Sequence, residues 1–124
     1  MFESEFVKTE YIPEYNMVFH IWKKECHADD YRNSVMASLK LLDEYDAEAF
    51  VVDAANGFED TKDDAEWGFK VFLPEMKKTK CRKWIFILNE ISEIDGEIDL
   101  WTSEICRYFE VIRVTSFDEA VKKL

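Results

Sequence analysis

Phe50-Val51-Val52-Asp53-Ala54-Ala55-Asn56-Gly57, with Asp60-Thr61 just beyond, is the stretch from which the rest of this chain is read. Phe50-Val51-Val52 is too short and too uniformly apolar for a surface element, which is the pattern of a strand covered on both faces. The run ends on a carboxylate and small polar residues, and Asp60-Thr61 then carries a helix-start signal. A buried strand of an α/β sheet delivers its carboxyl end to such a loop, capped by the N-terminus of the next helix, and ligands bind there.

Upstream, Phe6 to Ile12 and Tyr15 to Trp22 read as two strands about a turn at Pro13-Glu14-Tyr15-Asn16. Apolar groups lie on both faces of the second, which predicts an interior strand. Tyr31, Val35, Leu39, Leu42 and Tyr45 then form one helical stripe, opened by Asp29 or Asp30. Downstream, Thr61 and Asp64 resemble a capping box, followed by Ala65, Phe69, Phe72, Leu73 and Met76 as a second stripe. Pro74 predicts a kink or break near Leu73, because it lacks a donor and crowds the preceding turn. Trp84-Ile85-Phe86-Ile87-Leu88 is the strongest buried-strand signal. Ile94, Ile98, Trp101 and Ile105 give a third helix, and Val111 to Val114 a last strand. Ser116-Phe117-Asp118-Glu119 is a capping box opening a closing helix with Ala120, Val121 and Leu124 inward. The order β-β-α-β-α-β-α-β-α predicts an α/β fold, a mixed but mostly parallel sheet with helices packed on it.

A chain of 124 residues, 48% hydrophobic and 15% aromatic, suits a single domain spanning 1–124. With three Gly, two Pro and no repeated stretch, no linker is expected. A net charge of -11 disfavours nucleic acid and anionic lipid, both of which are bound by Lys and Arg. No window approaches the roughly 18 apolar residues that a membrane span needs, so no membrane insertion is expected. Cys26, Cys81 and Cys106 have no C-x-x-C spacing and the first residues are acidic, which points to free thiols and a cytoplasmic setting.

Trp22 ending the second strand, Tyr31-Arg32 in the first helix, Asp53 after the third strand, Trp67 with Phe72-Leu73-Pro74, and the Ser116 to Leu124 ending together resemble the STAS domain. The likeness covers nearly the whole chain and is closest to small bacterial SpoIIAA-like proteins that stand alone as one such domain. The resemblance implies a regulatory or protein-interaction module. In classical members the loop after the third strand reads Asp-Ser-Ser-Gly and carries a phosphoserine switch. With Asp53 aligned to that Asp, Ala54 and Ala55 replace the serines and Asn56 the glycine, so the classical phosphoacceptor is missing.

Asp53, Asn56 and Gly57 are candidate binding residues at the sheet's carboxyl edge, and Thr61 is the nearest hydroxyl for a phosphate. The plainer reading makes Asp53 and Asn56 an Asx-type turn into Gly57, and Thr61 an N-cap. The acids from Glu59 to Asp64 have the chemistry of a divalent-cation site but equally suit a helix N-terminus, which is the favoured reading. Asp95-Gly96-Glu97-Ile98-Asp99 departs from a calcium loop, with Leu100 and Cys106 at decisive positions. Cys26-His27 are adjacent and would point apart, and His20 reads as a packed, hydrogen-bonded imidazole. Lys77, Lys78, Lys80, Arg82 and Lys83 suit a helix C-terminus, with docking of an acidic partner as the other reading. Trp67 and Val71 fall off the second stripe, and with Phe58 they predict an aromatic surface beside the Asp53 loop.

The main functional expectation is an interaction module that binds a protein partner or forms a homodimer through Phe58, Trp67, Val71 and the loop from Asp53 to Thr61. The alternative is a carrier of a small apolar ligand or lipid, since SpoIIAA-like proteins also resemble lipid-transfer domains and ten Phe with four Trp can line a cavity. No catalytic signature, metal set or cofactor motif is read, so no enzyme is expected.

Overall fold

Strand alternation and helical stripes assemble into one mixed sheet. The computed structural model describes residues 1–89 and 94–124, in the order β1 (Phe2–Glu3), β2 (Val7–Ile12), a 3-10 turn (Pro13–Tyr15), β3 (Met17–Trp22), α1 (Ala28–Glu44), β4 (Ala49–Asp53), α2 (Lys62–Trp67), a π-turn (Gly68–Phe72), α3 (Leu73–Met76), β5 (Lys83–Ile87), α4 (Asp95–Ile105), β6 (Glu110–Val114) and α5 (Phe117–Lys122). The six strands lie side by side in chain order. β1, β2 and β3 are antiparallel, and β3 to β6 are parallel. The short edge strand β1 is an addition to the expected order.

Parallel crossovers that all step in one direction place their helices on one face. Accordingly α1, the segment 62–76 and α4 share a large core with Val18, Phe50, Val52, Trp84 and Phe86, while α5 closes a smaller core with Met17, Val51 and Ile85 on the other face. Val51 and Ile85 are fully buried, as expected of strands covered on both sides. All four residues of the third stripe, Ile94, Ile98, Trp101 and Ile105, are buried.

Several local expectations are corrected. α1 begins after His27 and has no side-chain cap of its own from Asp29 or Asp30. Instead the buried carboxylate of Asp64, on α2, accepts the Ala28 N–H at 3.0 Å. Thr61 does cap α2, accepting the Asp64 N–H at 3.2 Å. The Asp64 side chain thus serves the neighbouring helix and leaves the capping box half made. Tyr45 is exposed at the end of α1, where its ring stacks on Tyr11 at 4.3 Å. The chain then turns at Asp46, with φ 51, and the Ala47 N–H bonds to the Leu42 carbonyl.

At Pro74 the helix does not break. Its backbone stays right-handed through Leu73 and widens into the π-turn, with the Leu73 N–H donated to the Gly68 carbonyl. This shift of register is where the donor missing from Pro74 is accommodated. In the closing helix Ser116 accepts the Glu119 N–H at 3.1 Å, whereas the Glu119 carboxylate bonds to Thr115. Ala120 is buried but Leu124 is exposed, against the expectation that both point inward.

Candidate functional site

The side chains that matter are brought together beneath the helices, toward the carboxyl ends of the parallel strands. β3 contributes His20 and Trp22, β4 contributes Phe50 and Val52, and β5 contributes Trp84 and Phe86. Tyr31 enters from the first turn of α1, and Glu97 and Trp101 from α4. Gly57, Phe58 and Asp60 close the ring from the loop after β4. Between them lies a cavity of about 80 Å³. Gly57, Phe58, Asp60 and Glu97 are half-buried while the other lining residues are buried, so these four form its solvent side.

Two glycines shape the wall. A Cβ on Gly57 would sit 2.8 Å from Ile94 and 2.9 Å from the Ala54 carbonyl, and one on Gly68 would sit 2.5 Å from the Trp101 ring. A side chain at position 57 would press on the loop carbonyl of Ala54, and one at position 68 would displace the Trp101 ring. Trp22 and Tyr31 stack with centroids 5.7 Å apart, and the Phe58 ring meets both edge-on.

The polar groups form two sets. At the mouth, the Trp101 indole donates to Asp60 Oδ2 and to Glu97 Oε1, each at 3.2 Å. Tyr31 donates its hydroxyl to Asp60 Oδ2 at 2.8 Å, and the Asp60 N–H donates to Glu97 Oε1 at 3.2 Å. Burial, with Glu97 alongside, holds the Asp60 carboxyl up to about 7, even though the bonds from Tyr31 and Trp101 favour its ionised form. Burial and the Asp60 charge raise the Tyr31 phenol well above its ordinary range.

Inside, His20 is 1% exposed and Trp84 is 3% exposed. Both ring nitrogens of His20 and the indole nitrogen of Trp84 have no hydrogen-bond partner among the described residues. The expected hydrogen-bonded imidazole is therefore packed without a bond. Burial holds it down at about 3, so it is neutral, with one donor and one acceptor to offer. Buried polar atoms nearly always have partners, so these three nitrogens on residues that line one small cavity are exceptional. No family model, curated protein or solved structure matches the chain.

Of the expected binding residues Asp53, Asn56, Gly57, Phe58, Thr61, Trp67 and Val71, Gly57 and Phe58 line this cavity. Asp53 Oδ1 accepts the Ala55 N–H at 3.1 Å, an Asx turn, and Thr61 is an N-cap. Asn56 is exposed in the same loop. The aromatic surface expected of Phe58 and Trp67 is corrected: both are half-buried and packed on the main core. The Trp67 ring packs edge-on against Tyr31 and lies under the Arg32 guanidinium, leaving Val71 exposed on its own.

The acids of the 59–64 run diverge, Asp60 toward α4 and Asp64 toward the start of α1. Cys26 is buried, and burial with nearby Asp30 pushes its thiol up to about 11, the opposite of an activated nucleophile. The basic cluster disperses into local contacts, with Lys77 over the Tyr108 ring, Lys78 on Glu75 and Arg82 near Glu48.

His20, Tyr31, Trp84 and Trp101 enter the sequence reading as core positions, Asp60 as an acid at a helix start and Glu97 as part of a stretch that departs from a calcium loop. One signal was present: a buried Tyr or Trp carries a polar handle that needs a partner, and Glu97 precedes Trp101 by one helical turn.

Proposed function

We propose that the chain binds a small organic molecule in the cavity between β3, β4, β5, α1 and α4. One observation carries this reading: a largely aromatic cavity of about 80 Å³ lined by His20 and Trp84, whose buried nitrogens have no hydrogen-bond partner among the described residues. Apolar walls with a few convergent polar groups are the usual make-up of a small-molecule site. An apolar protein cavity of about 150 Å³ takes up benzene, so the occupant here is smaller than that or projects through the mouth. This is the carrier reading in a form restricted to small molecules.

The order of hairpin, three crossovers and closing helix supports placing the chain with STAS-like folds, and that placement belongs to the same proposal. Docking through Trp67 has less support, because Phe58 and Trp67 direct much of their surface into the fold.

Native mass spectrometry of the untagged protein tests the reading, together with titration of isobutanol followed on the Trp84 indole N–H resonance. Excess mass on the folded form, or a saturable shift of that resonance, is expected. A bare mass with an unmoved Trp84 resonance would overturn it.

A further inference from the structure

We infer that the molecule taken up is an organic cation, an ammonium group on a small apolar body, bound with its charge between Asp60 and Glu97 and its carbon skeleton among the aromatic rings. This rests on the cavity being a ligand site, as proposed above, and adds the sign and position of the ligand's charge.

Among the described residues the mouth carries the carboxylates of Asp60 and Glu97 and no counter-charge. Asp60 and Glu97 share the Trp101 N–H, and among the described residues neither carboxylate has a Lys, Arg or His within ion-pair distance. Elsewhere in this chain carboxylates do find cations: Asp64 lies 3.5 Å from Arg32, and Asp95 and Asp99 both bond to Arg113. Asp60 and Glu97 are the two acids that line the cavity, and they meet there through a shared indole N–H and not through a cation. An anionic ligand would be repelled there, and a neutral one would leave both carboxylates as they are.

The rings around the mouth favour the same charge. Trp22, Tyr31, Phe58 and Trp101 line the cavity that Asp60 also lines, and aromatic rings attract an ammonium as carboxylates do. His20 and Trp84 lie deeper and serve a polar atom at the other end of the ligand or a retained water. The overall charge of -11 draws cations toward the protein from solution.

Binding is linked to pH through Asp60. The titratable groups nearest it are Glu97 from α4, Tyr31 from α1, Cys26 before α1 and Asp64 on α2, while His20 is neutral in the cavity. Because Asp60 is held up to about 7, an arriving ammonium displaces its proton, and affinity rises as pH climbs through that value.

Three probes of one skeleton decide the matter: isobutylammonium, isobutanol and isovalerate, titrated against the indole N–H resonances of Trp84 and Trp101. The cation is expected to bind at least roughly tenfold more tightly than the alcohol, from charge-assisted bonds and ring contacts together. Isovalerate is expected to shift neither resonance. Glu97→Gln should cut the cation's affinity roughly tenfold and bring it toward that of isobutanol. Equal binding of cation and alcohol, or tightest binding of isovalerate, would overturn the charge assignment and leave the cavity reading standing. No shift with any probe, with a bare native mass, would overturn both.

Discussion

The carboxylate of Asp64 accepts the amide N–H of Ala28 at 3.0 Å, so the residue whose own N–H is capped by Thr61 at the start of α2 supplies an acceptor to the start of α1. Asp64 is 1% exposed, and Arg32 and His27 lie 3.5 Å and 3.7 Å from its oxygens. Removing it leaves a helix-start donor without its acceptor and a guanidinium without its ion-pair partner. Asp64→Ala is expected to cost about 3 kcal/mol, the scale of breaking a buried charged contact, with Asp64→Asn costing less because an acceptor remains. Urea unfolding checks this: the midpoint should fall while the slope holds. An unchanged midpoint in Asp64→Ala would show that α1 starts without this cap.

A Cβ at position 68 would lie 2.5 Å from Cη2 of Trp101. Gly68→Ala gains about 1 kcal/mol of helix propensity but forces the indole off its site, which costs about 1–3 kcal/mol in a packed core. A net loss is expected, accompanied by a shift of the Trp101 indole resonance as its bonds to Asp60 and Glu97 are disturbed. With Trp101→Leu as background the same change should be neutral or stabilising. A double-mutant cycle reads the difference, and additive effects would show that the two residues do not compete for space.

These two contacts also show how far the sequence reaches. The helices are legible because burial repeats between three and four residues, as at Ile98 and Trp101, and the central strands because short uniformly apolar runs around Val51 and Ile85 suit burial on both faces. The loop from Asp53 to Gly57 was legible as a turn for the same local reason, since Asp53 bonds to a neighbour two residues on. Asp64 on Ala28 is not legible in that way, because 36 residues separate the partners. The cavity is harder still. It exists where side chains from five elements fail to fill space, and His20 has the pattern of an ordinary core residue until its nitrogens are found without partners. Gly68 could be read as a weak point of its helix, but the Trp101 ring that requires it lies on another element.

The three thiols should differ in reactivity. Cys26 and Cys81 are buried, with burial pushing their thiols up to about 11 and about 12, whereas Cys106 is exposed. Since the thiolate is the reacting form, an aromatic disulfide reagent at pH 8 is expected to modify one thiol per folded chain quickly and all three after denaturation. Cys106→Ser should abolish the fast phase. A fast phase that survives this change would mean that Cys26 or Cys81 is reached through local opening.

His20 and Asp60 should drive the pH dependence of stability in opposite directions. His20 is held at about 3 against an ordinary 6.5, so below 6.5 the unfolded chain takes up a proton that the folded chain refuses. Its stabilising contribution is complete above 6.5 and is lost as pH falls toward 3. Asp60 is held at about 7 against an ordinary 3.8, so the folded chain keeps a proton that the unfolded chain releases. Its contribution is complete below 3.8 and is lost as pH rises through 7. Each slope approaches about 1.4 kcal/mol per pH unit where only one state is protonated, so the two offset one another between about pH 4 and 6.5. Urea midpoints measured across that window should separate them. Asp60→Asn leaves the histidine term, so its stability should rise with pH relative to the parent protein. His20→Phe leaves the aspartate term, so its stability should fall with pH relative to the parent. Three parallel curves would mean that neither group is displaced from its ordinary titration, and with that the proton release that ties cation binding to Asp60 would be lost as well.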